Sequence, residues 1–413
     1  ITRRLAIASG AVVLVAVSVG MLSGQYMFLA REHRELAYLL TPQNYVVATI
    51  GLLRGQNPRQ DHSARIAIGS DARPGKAWET RTRPLLLVLV VGETARAQAF
   101  SLNGYDRQTN PQLGRRAVFS FTDVSSCGTS TAESLPCMFR PFGRRGPDTD
   151  DLRQYESLLD VAQRAGLQVT WLDNNSGCKG VCAGVESHQL DNDADLALCS
   201  KTGCYDEILV KKLGELLAAQ PRSSLIVLHQ QGSHGPAYFR RYPPEFGQFT
   251  PACATDALLG CSREEIRNAY DNTILYTDHV LSRLIDLLDA QQDRYDSAML
   301  YVSDHGESLG ENGLYLHGMP YRIAPEAQTH VPMIYWMSSG FIEDQGLSTS
   351  CVKATTATTL SHDNLFASVL GLLDIRTRIY QPERDMFAEC RGRTLIAGPN
   401  AKPPAVSFTG TEG

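Results

Sequence analysis

LLLVLVVGET, residues Leu85–Thr94, sets seven consecutive apolar side chains directly ahead of a glycine, a carboxylate and a hydroxyl. A continuous apolar run of this length suits a strand buried on both faces, as in a parallel sheet covered by helices. Four further runs share the pattern: QVTWL (168–172), LIVLH (225–229), AMLYV (298–302) and VPMIYW (331–336). Between them, residues 263–291 repeat Ile266, Tyr270, Ile274, Leu281, Leu284 and Leu288 at near-helical spacing. Strands alternating with helices predict an α/β/α sandwich around a mostly parallel central sheet. Sites in such sheets form beyond the carboxyl ends of the strands. Glu93 follows the first run, a loop with His234 follows the third, and Asp304-His305-Gly306-Glu307 follows the fourth.

Upstream, residues 5–30 carry no charge and are dense in Val, Leu, Ala and Ile. That exceeds the about 20 residues a helix needs to cross a bilayer, and also the roughly 7–15-residue apolar core of a cleaved signal peptide. A single transmembrane helix within residues 1–30 is therefore expected. Arg3 and Arg4 ahead of it argue for a cytoplasmic N-terminus, and Arg31 and Arg34 behind it weaken that vote. Because the sequence starts at Ile1 rather than Met, it reads as a piece of a longer protein. Residues 31–84 are expected to link the membrane to the body: 35–53 is amphipathic, for the membrane surface or for packing. Residues 55–84 are rich in Arg, Gln, Asp, Gly and Pro, as in a linker or strap. The catalytic body is expected over 85–413.

The chain has 39 basic and 44 acidic residues, a net charge of −5, which gives no support to a nucleic-acid partner. A 43% hydrophobic and 20% charged composition excludes a largely disordered chain. The ten cysteines, Cys127, Cys137, Cys178, Cys182, Cys199, Cys204, Cys253, Cys261, Cys351 and Cys390, show no paired CxxC zinc pattern. In an oxidising compartment they read as disulfides. Counting leaves many hundreds of pairings open. Nearest-neighbour pairing is the economical expectation: Cys127–Cys137, Cys178–Cys182, Cys199–Cys204, Cys253–Cys261 and Cys351–Cys390.

Glu93 with Asp304 and His305 forms a ligand set suited to zinc or manganese; the competing reading has Asp304 cap a helix and His305 sit as a satisfied side chain. In CGTSTAESLPC (127–137), Ser130 and Glu133 have capping-box spacing, which puts Thr131 at the first helical position. There the helix dipole favours an alkoxide or bound phosphate, although all these hydroxyls could equally be caps. His234 and His317 sit in Gly-flanked loops and could bind metal, phosphate or nothing. Asn175, Ser176 and Lys179 offer amide, hydroxyl and ammonium groups to an anion, or form a polar turn.

The stretches VVGETARAQAFSLNGYDRQTNP (90–111), CGTSTAESLPCMF (127–139), DNNSGCKG (173–180), GSHGPAYFRRYP (232–243) and SDHGESLGENGLYLHGMP (303–320) resemble the lipid A phosphoethanolamine transferases. These belong to the alkaline-phosphatase superfamily and include the mobile colistin-resistance enzymes. The resemblance implies a zinc site of Glu93, Thr131, Asp304 and His305, with Thr131 as nucleophile. It also implies His234 and His317 at the substrate or a second zinc, with Asn175, Ser176, Lys179 and Glu307 nearby. It further implies a phosphatidylethanolamine donor, a lipid A acceptor, polymyxin resistance, and a monomer in the bacterial inner membrane with its catalytic domain in the periplasm. The family carries five transmembrane helices and this chain one, so the chain is expected to keep the last of them. A sulfatase would need Arg where Ser134-Leu135-Pro136-Cys137 is followed by Met138. Transfer of phosphoethanolamine or phosphoglycerol to another lipopolysaccharide sugar or a glycan is the alternative.

Overall fold

All five apolar runs contribute strands to one seven-stranded sheet. The computed structural model describes residues 2–21, 45, 49, 65–190, 195, 197–219 and 221–392. The sheet strands are β1 (Leu85–Gly92), β2 (Phe119–Phe121), β3 (Gln168–Asp173), β4 (Glu186–Gln189), β5 (Ser224–His229), β6 (Asp296–Ser303) and β7 (Met333–Met337). Their order is β2-β7-β6-β1-β5-β3-β4. The pairs from β6 to β4 are parallel, while β7 runs antiparallel to both β6 and β2. The last run begins its strand at Met333 because Pro332 has no N–H for the ladder; its carbonyl instead accepts from Ser303 N. β2 is short, and β4 is exposed along its length, so neither left an apolar signature in the sequence.

Side chains alternate across a strand, and β1 shows the consequence. Leu85, Leu87, Leu89 and Val91 join a core cluster with Trp171, Leu225 and Leu300, which also takes in residues of the helix Leu365–Leu372. Leu86, Val88 and Val90 are equally buried on the other face. There the long helix Arg263–Asp289 packs against β6, and Ile266, Tyr270, Ile274, Leu281, Leu284 and Leu288 are all buried. Ser262 starts that helix in a capping box with Glu265.

The register aligns the strand ends. Gly92 lies opposite Ser303, Val91 opposite His229, and His229 opposite Asp173. The chain therefore leaves β1, β3, β5 and β6 along one rim. Residues 65–84 are fastened to this body: Arg65 pairs with Asp160 at 2.7 Å, Arg73–Pro74 pairs with Ile375–Arg376, and Trp78 Nε1 donates to the Leu373 carbonyl. The cysteines form five disulfides, in the nearest-neighbour pattern.

This body is the larger of two units, Arg65–Glu307 with His317–Gly413. The smaller unit contains a helix at Thr2–Met21 and the antiparallel pair Ser308–Leu309 and Tyr315–Leu316. Ile7, Val13, Leu14, Val15 and Val17 of the helix are exposed. Among the described residues no helix is long and apolar enough to cross a membrane. Residues 1 and 22–30 of the expected membrane span lie outside the described residues, as do residues 31–44, 46–48 and 50–64 of the expected link.

Candidate active site

Glu93 emerges from β1 with no solvent exposure. A Cβ at the preceding Gly92 would meet the Tyr301 hydroxyl at 2.5 Å and its ring at 2.6 Å, so only glycine lets the strand end there. Both carboxylate oxygens of Glu93 are engaged. Oε1 accepts from Thr94 Oγ1 and lies 3.2 Å from His305 Nε2. Oε2 accepts from Thr131 Oγ1 at 2.9 Å and from Asn175 Nδ2 at 2.8 Å. Thr94 adopts a left-handed φ of 59°, a strain of about 1–3 kcal/mol that recurs at functional sites. That conformation lets its N–H reach Asp304 Oδ1 at 3.1 Å, while Tyr270 Oη donates to its carbonyl at 2.8 Å.

Thr131 opens the helix Thr131–Met138, as its sequence position predicts. The capping box does not form, because Ser130 makes no side-chain bond and Glu133 takes the N–H of Thr129 at 3.3 Å instead. Thr131 Oγ1 also lies 3.5 Å from His305 Nε2. His305 Nδ1 donates to the Gly306 carbonyl at 2.9 Å, which directs the other nitrogen to the carboxylates. Asp304 Oδ1 accepts from the His305 N–H at 2.8 Å. Its Oδ2 is buried without a hydrogen-bond donor.

Glu93, Asp304 and His305 bring three ligand-type atoms within 4.8 Å of one another. Their charges perturb one another. Burial pushes Asp304 up, assisted by the Glu93 charge, to about 7. Burial opposes protonation of His305, but Asp304 and Glu93 outweigh it and raise the ring to about 10. Against its own burial, Glu93 is held well below the usual carboxylate range by His305, His234 and His317. Two buried carboxylates, an imidazole nitrogen and one oxygen without a donor fit a divalent cation such as zinc. A second group, Cys127, Cys137 and Asp363, does not, because its sulfurs are joined in a disulfide.

His317 and Glu307 adjoin this cluster. The His305 and His317 rings are 4.3 Å apart and those of His317 and His234 5.7 Å. Glu307 bonds His317 Nδ1 at 3.1 Å and the Tyr238 hydroxyl at 3.0 Å. Burial pushes His234 down to about 4 and Glu307 up to about 8. Ser176 and Lys179 do not join Glu93: Lys179 Nζ donates to the Ser176 carbonyl and hydroxyl, both at 2.7 Å, on the same loop.

Two carboxylates missed by sequence reasoning hold these loops. Asp173 Oδ1 accepts the N–H of Asn175 at 2.8 Å, and Oδ2 accepts from Trp171 Nε1 and His229 Nδ1. Asp206 accepts the N–H groups of Gln231 and Gly232 and the amide of Asn174, each at 2.8 Å. At Gly232, whose φ is +51°, a Cβ would meet the Glu93 carbonyl at 2.6 Å. Asp173 was visible as a polar residue ending an apolar run; Asp206 had no local signal.

The sulfatase family model matches residues 86–375, and a phosphoethanolamine transferase EptA/EptB model matches residues 1–57. The chain is 41% identical over 390 residues to phosphoethanolamine transferase EptA of Salmonella typhimurium, covering 94% of this chain and 71% of that protein. It is 38% identical over 383 residues to phosphatidylethanolamine transferase Mcr-1 of Escherichia coli, covering 90% and 69%. The integral membrane lipooligosaccharide phosphoethanolamine transferase A of Neisseria meningitidis superposes with a TM-score of 0.80 at 40% identity, covering 94% of this chain and 72% of that one.

Proposed function

Since this chain belongs to the family of phosphoethanolamine transferases that includes EptA and Mcr-1, we propose that it moves phosphoethanolamine from phosphatidylethanolamine to a lipid A phosphate through a covalent ester on Thr131. The observation that carries this reading is that Thr131 Oγ1 lies 2.9 Å from Glu93 Oε2 and 3.5 Å from His305 Nε2. Glu93, Asp304, His305 and Thr131 would hold zinc. Bound there, zinc would lower the pKa of the threonine hydroxyl and polarise a phosphoryl oxygen.

The residues supply the rest. Glu93 Oε2 accepts the Thr131 hydrogen bond and orients the hydroxyl oxygen. That oxygen attacks the donor phosphorus, forming a Thr–O–P bond as the bond to diacylglycerol oxygen breaks, and the proton Thr131 gives up ends on the departing alkoxide. His234 or His317 delivers that proton or holds the acceptor; burial, which keeps His234 neutral, suits it to the second role. An acceptor phosphate oxygen then attacks the phosphorus, the Thr–O–P bond breaks, and the proton the acceptor sheds returns to Thr131 Oγ1. Asn175 fixes the Glu93 carboxylate, while Ser176, Lys179 and Glu307 serve substrate binding and the support of His317.

Residues 1–30 are assigned to a membrane helix, 31–84 to a periplasmic link and 85–413 to the catalytic domain. The apolar run 5–30 and the match of residues 1–57 support the membrane assignment, and the five disulfides support the periplasm. Polymyxin resistance follows from masking lipid A phosphates with a cationic amine. Mass spectrometry of lipid A from cells expressing the full-length protein tests the reading. One added phosphoethanolamine on a lipid A phosphate is expected. Addition only to Kdo, heptose or a glycan would overturn the acceptor assignment.

A further inference from the structure

We propose that His362 is a positioning residue that locks the loop carrying Thr131 to the strand end carrying Asp304 and His305, an inference that rests on the transferase reading above. His362 is 2% exposed and uses both ring nitrogens. Cys127 N donates to Nδ1 at 3.0 Å, and Nε2 donates to the Ser303 carbonyl at 2.9 Å. Because Nδ1 accepts from an amide N–H, the ring is neutral with its proton on Nε2. One imidazole therefore joins segments 235 and 59 residues away in the chain.

Both ends of the clamp lead directly to reacting groups. Ser303 precedes Asp304, and its Oγ accepts from Ala95 N at 2.8 Å and donates to the His305 carbonyl at 3.0 Å. At the other end, Cys127 stands four residues before Thr131 and is bonded through sulfur to Cys137 on the helix that Thr131 begins. A displacement of Cys127 thus reaches Thr131 along the chain and through the disulfide. The clamp is itself held. Leu360–Ser361 pairs in parallel with Val124–Ser125, Ser361 and Asn364 form a capping box, and Asp363 Oδ1 accepts the N–H of Arg144 at 2.8 Å. A misplacement of about 1 Å at a reacting atom can cost about 100-fold in rate.

Two substitutions in the full-length protein separate the two bonds. His362→Asn keeps an oxygen where Nδ1 accepts from Cys127. His362→Gln keeps an amide where Nε2 donates to Ser303 and loses the Cys127 acceptor. With phosphatidylethanolamine as donor, both variants are expected to lose about 100-fold in kcat with KM and zinc content unchanged, because either one cuts the tie between the two segments. A plain structural brace would lower the unfolding midpoint of both and leave kcat below that midpoint alone; that result, or wild-type kcat in either folded variant, would overturn the proposal. If His362→Gln does not fold, His362→Asn decides alone: a kcat within about tenfold of wild type overturns it. Hydrogen exchange of residues 127–131 requires no turnover, so it tests the clamp even if wild type proves inactive and the transferase reading fails. Exchange is expected to accelerate in both variants, and wild-type protection in either would contradict the clamp.

Discussion

Asn175→Ala removes the amide that donates to Glu93 Oε2 and to the Gln230 carbonyl, both at 2.8 Å. Asn175 is buried, so no bulk water replaces the lost donor. A hydrogen bond to a charged group contributes about 1.5–3 kcal/mol. If that bond is what holds Glu93 against Thr131, its loss appears in kcat/KM as a fall of about 10- to 100-fold. The Gln230 carbonyl, left without its partner, costs about 1–3 kcal/mol of folding stability. Asn175→Asp should be worse for turnover, because it sets a second carboxylate at hydrogen-bond distance from Glu93. The assay is kcat/KM on a short-chain phosphatidylethanolamine donor, with urea unfolding on the same samples. A folded Asn175→Ala with unchanged kcat/KM, or Asn175→Asp at wild-type activity, would refute this reading of the Glu93 environment.

Asp173 gives a stability prediction with a definite sign. Burial raises its pKa, but His229, Trp171 and the Asn175 N–H outweigh it and hold the carboxyl at about 2, below its ordinary 3.8. A depressed carboxylate adds stability above the unfolded value and loses it as pH falls through the folded value. Asp173→Asn should therefore cost about 2 kcal/mol at pH 7, with the gap closing between pH 3.8 and about 2; a gap independent of pH in urea titrations would contradict the account. Asp304→Ala should lose both bound zinc, by elemental analysis, and turnover; unchanged metal content would show that the ligand set is wrong. A fragment starting at Arg65 should unfold at a higher temperature than one starting at Arg81, since the shorter lacks the Asp160 pair, the Trp78 bond and the strand pair at Arg73–Pro74. Equal midpoints would mean that residues 65–80 add nothing to the fold.

What the sequence disclosed follows from which signals are local. Burial on both faces writes itself into a strand as an apolar run, so β1, β3, β5, β6 and β7 were legible, and with them the rim that collects Glu93, Asp304 and His305. Short cysteine spacings made the disulfide pattern equally readable. The edge strand β4 was hidden because its side chains meet water, and β2 because it is only three residues long. The capping box at Ser130 was a local pattern overridden by a competing local acceptor, since Glu133 reaches Thr129 instead. Asp206 and His362 were invisible for another reason. Each satisfies backbone groups brought near only by the sheet topology, and no spacing in the chain records that proximity.

The central claim is that Thr131 carries the transferred group. Brief incubation of the full-length protein with phosphatidylethanolamine, followed by acid quenching and peptide mass spectrometry, tests it most directly. The account predicts a phosphoethanolamine ester on the peptide holding Thr131, with fragment ions mapping it to that residue and no adduct in Thr131→Ala. An ester on Thr129 or Ser130, or one that persists in Thr131→Ala, would contradict it.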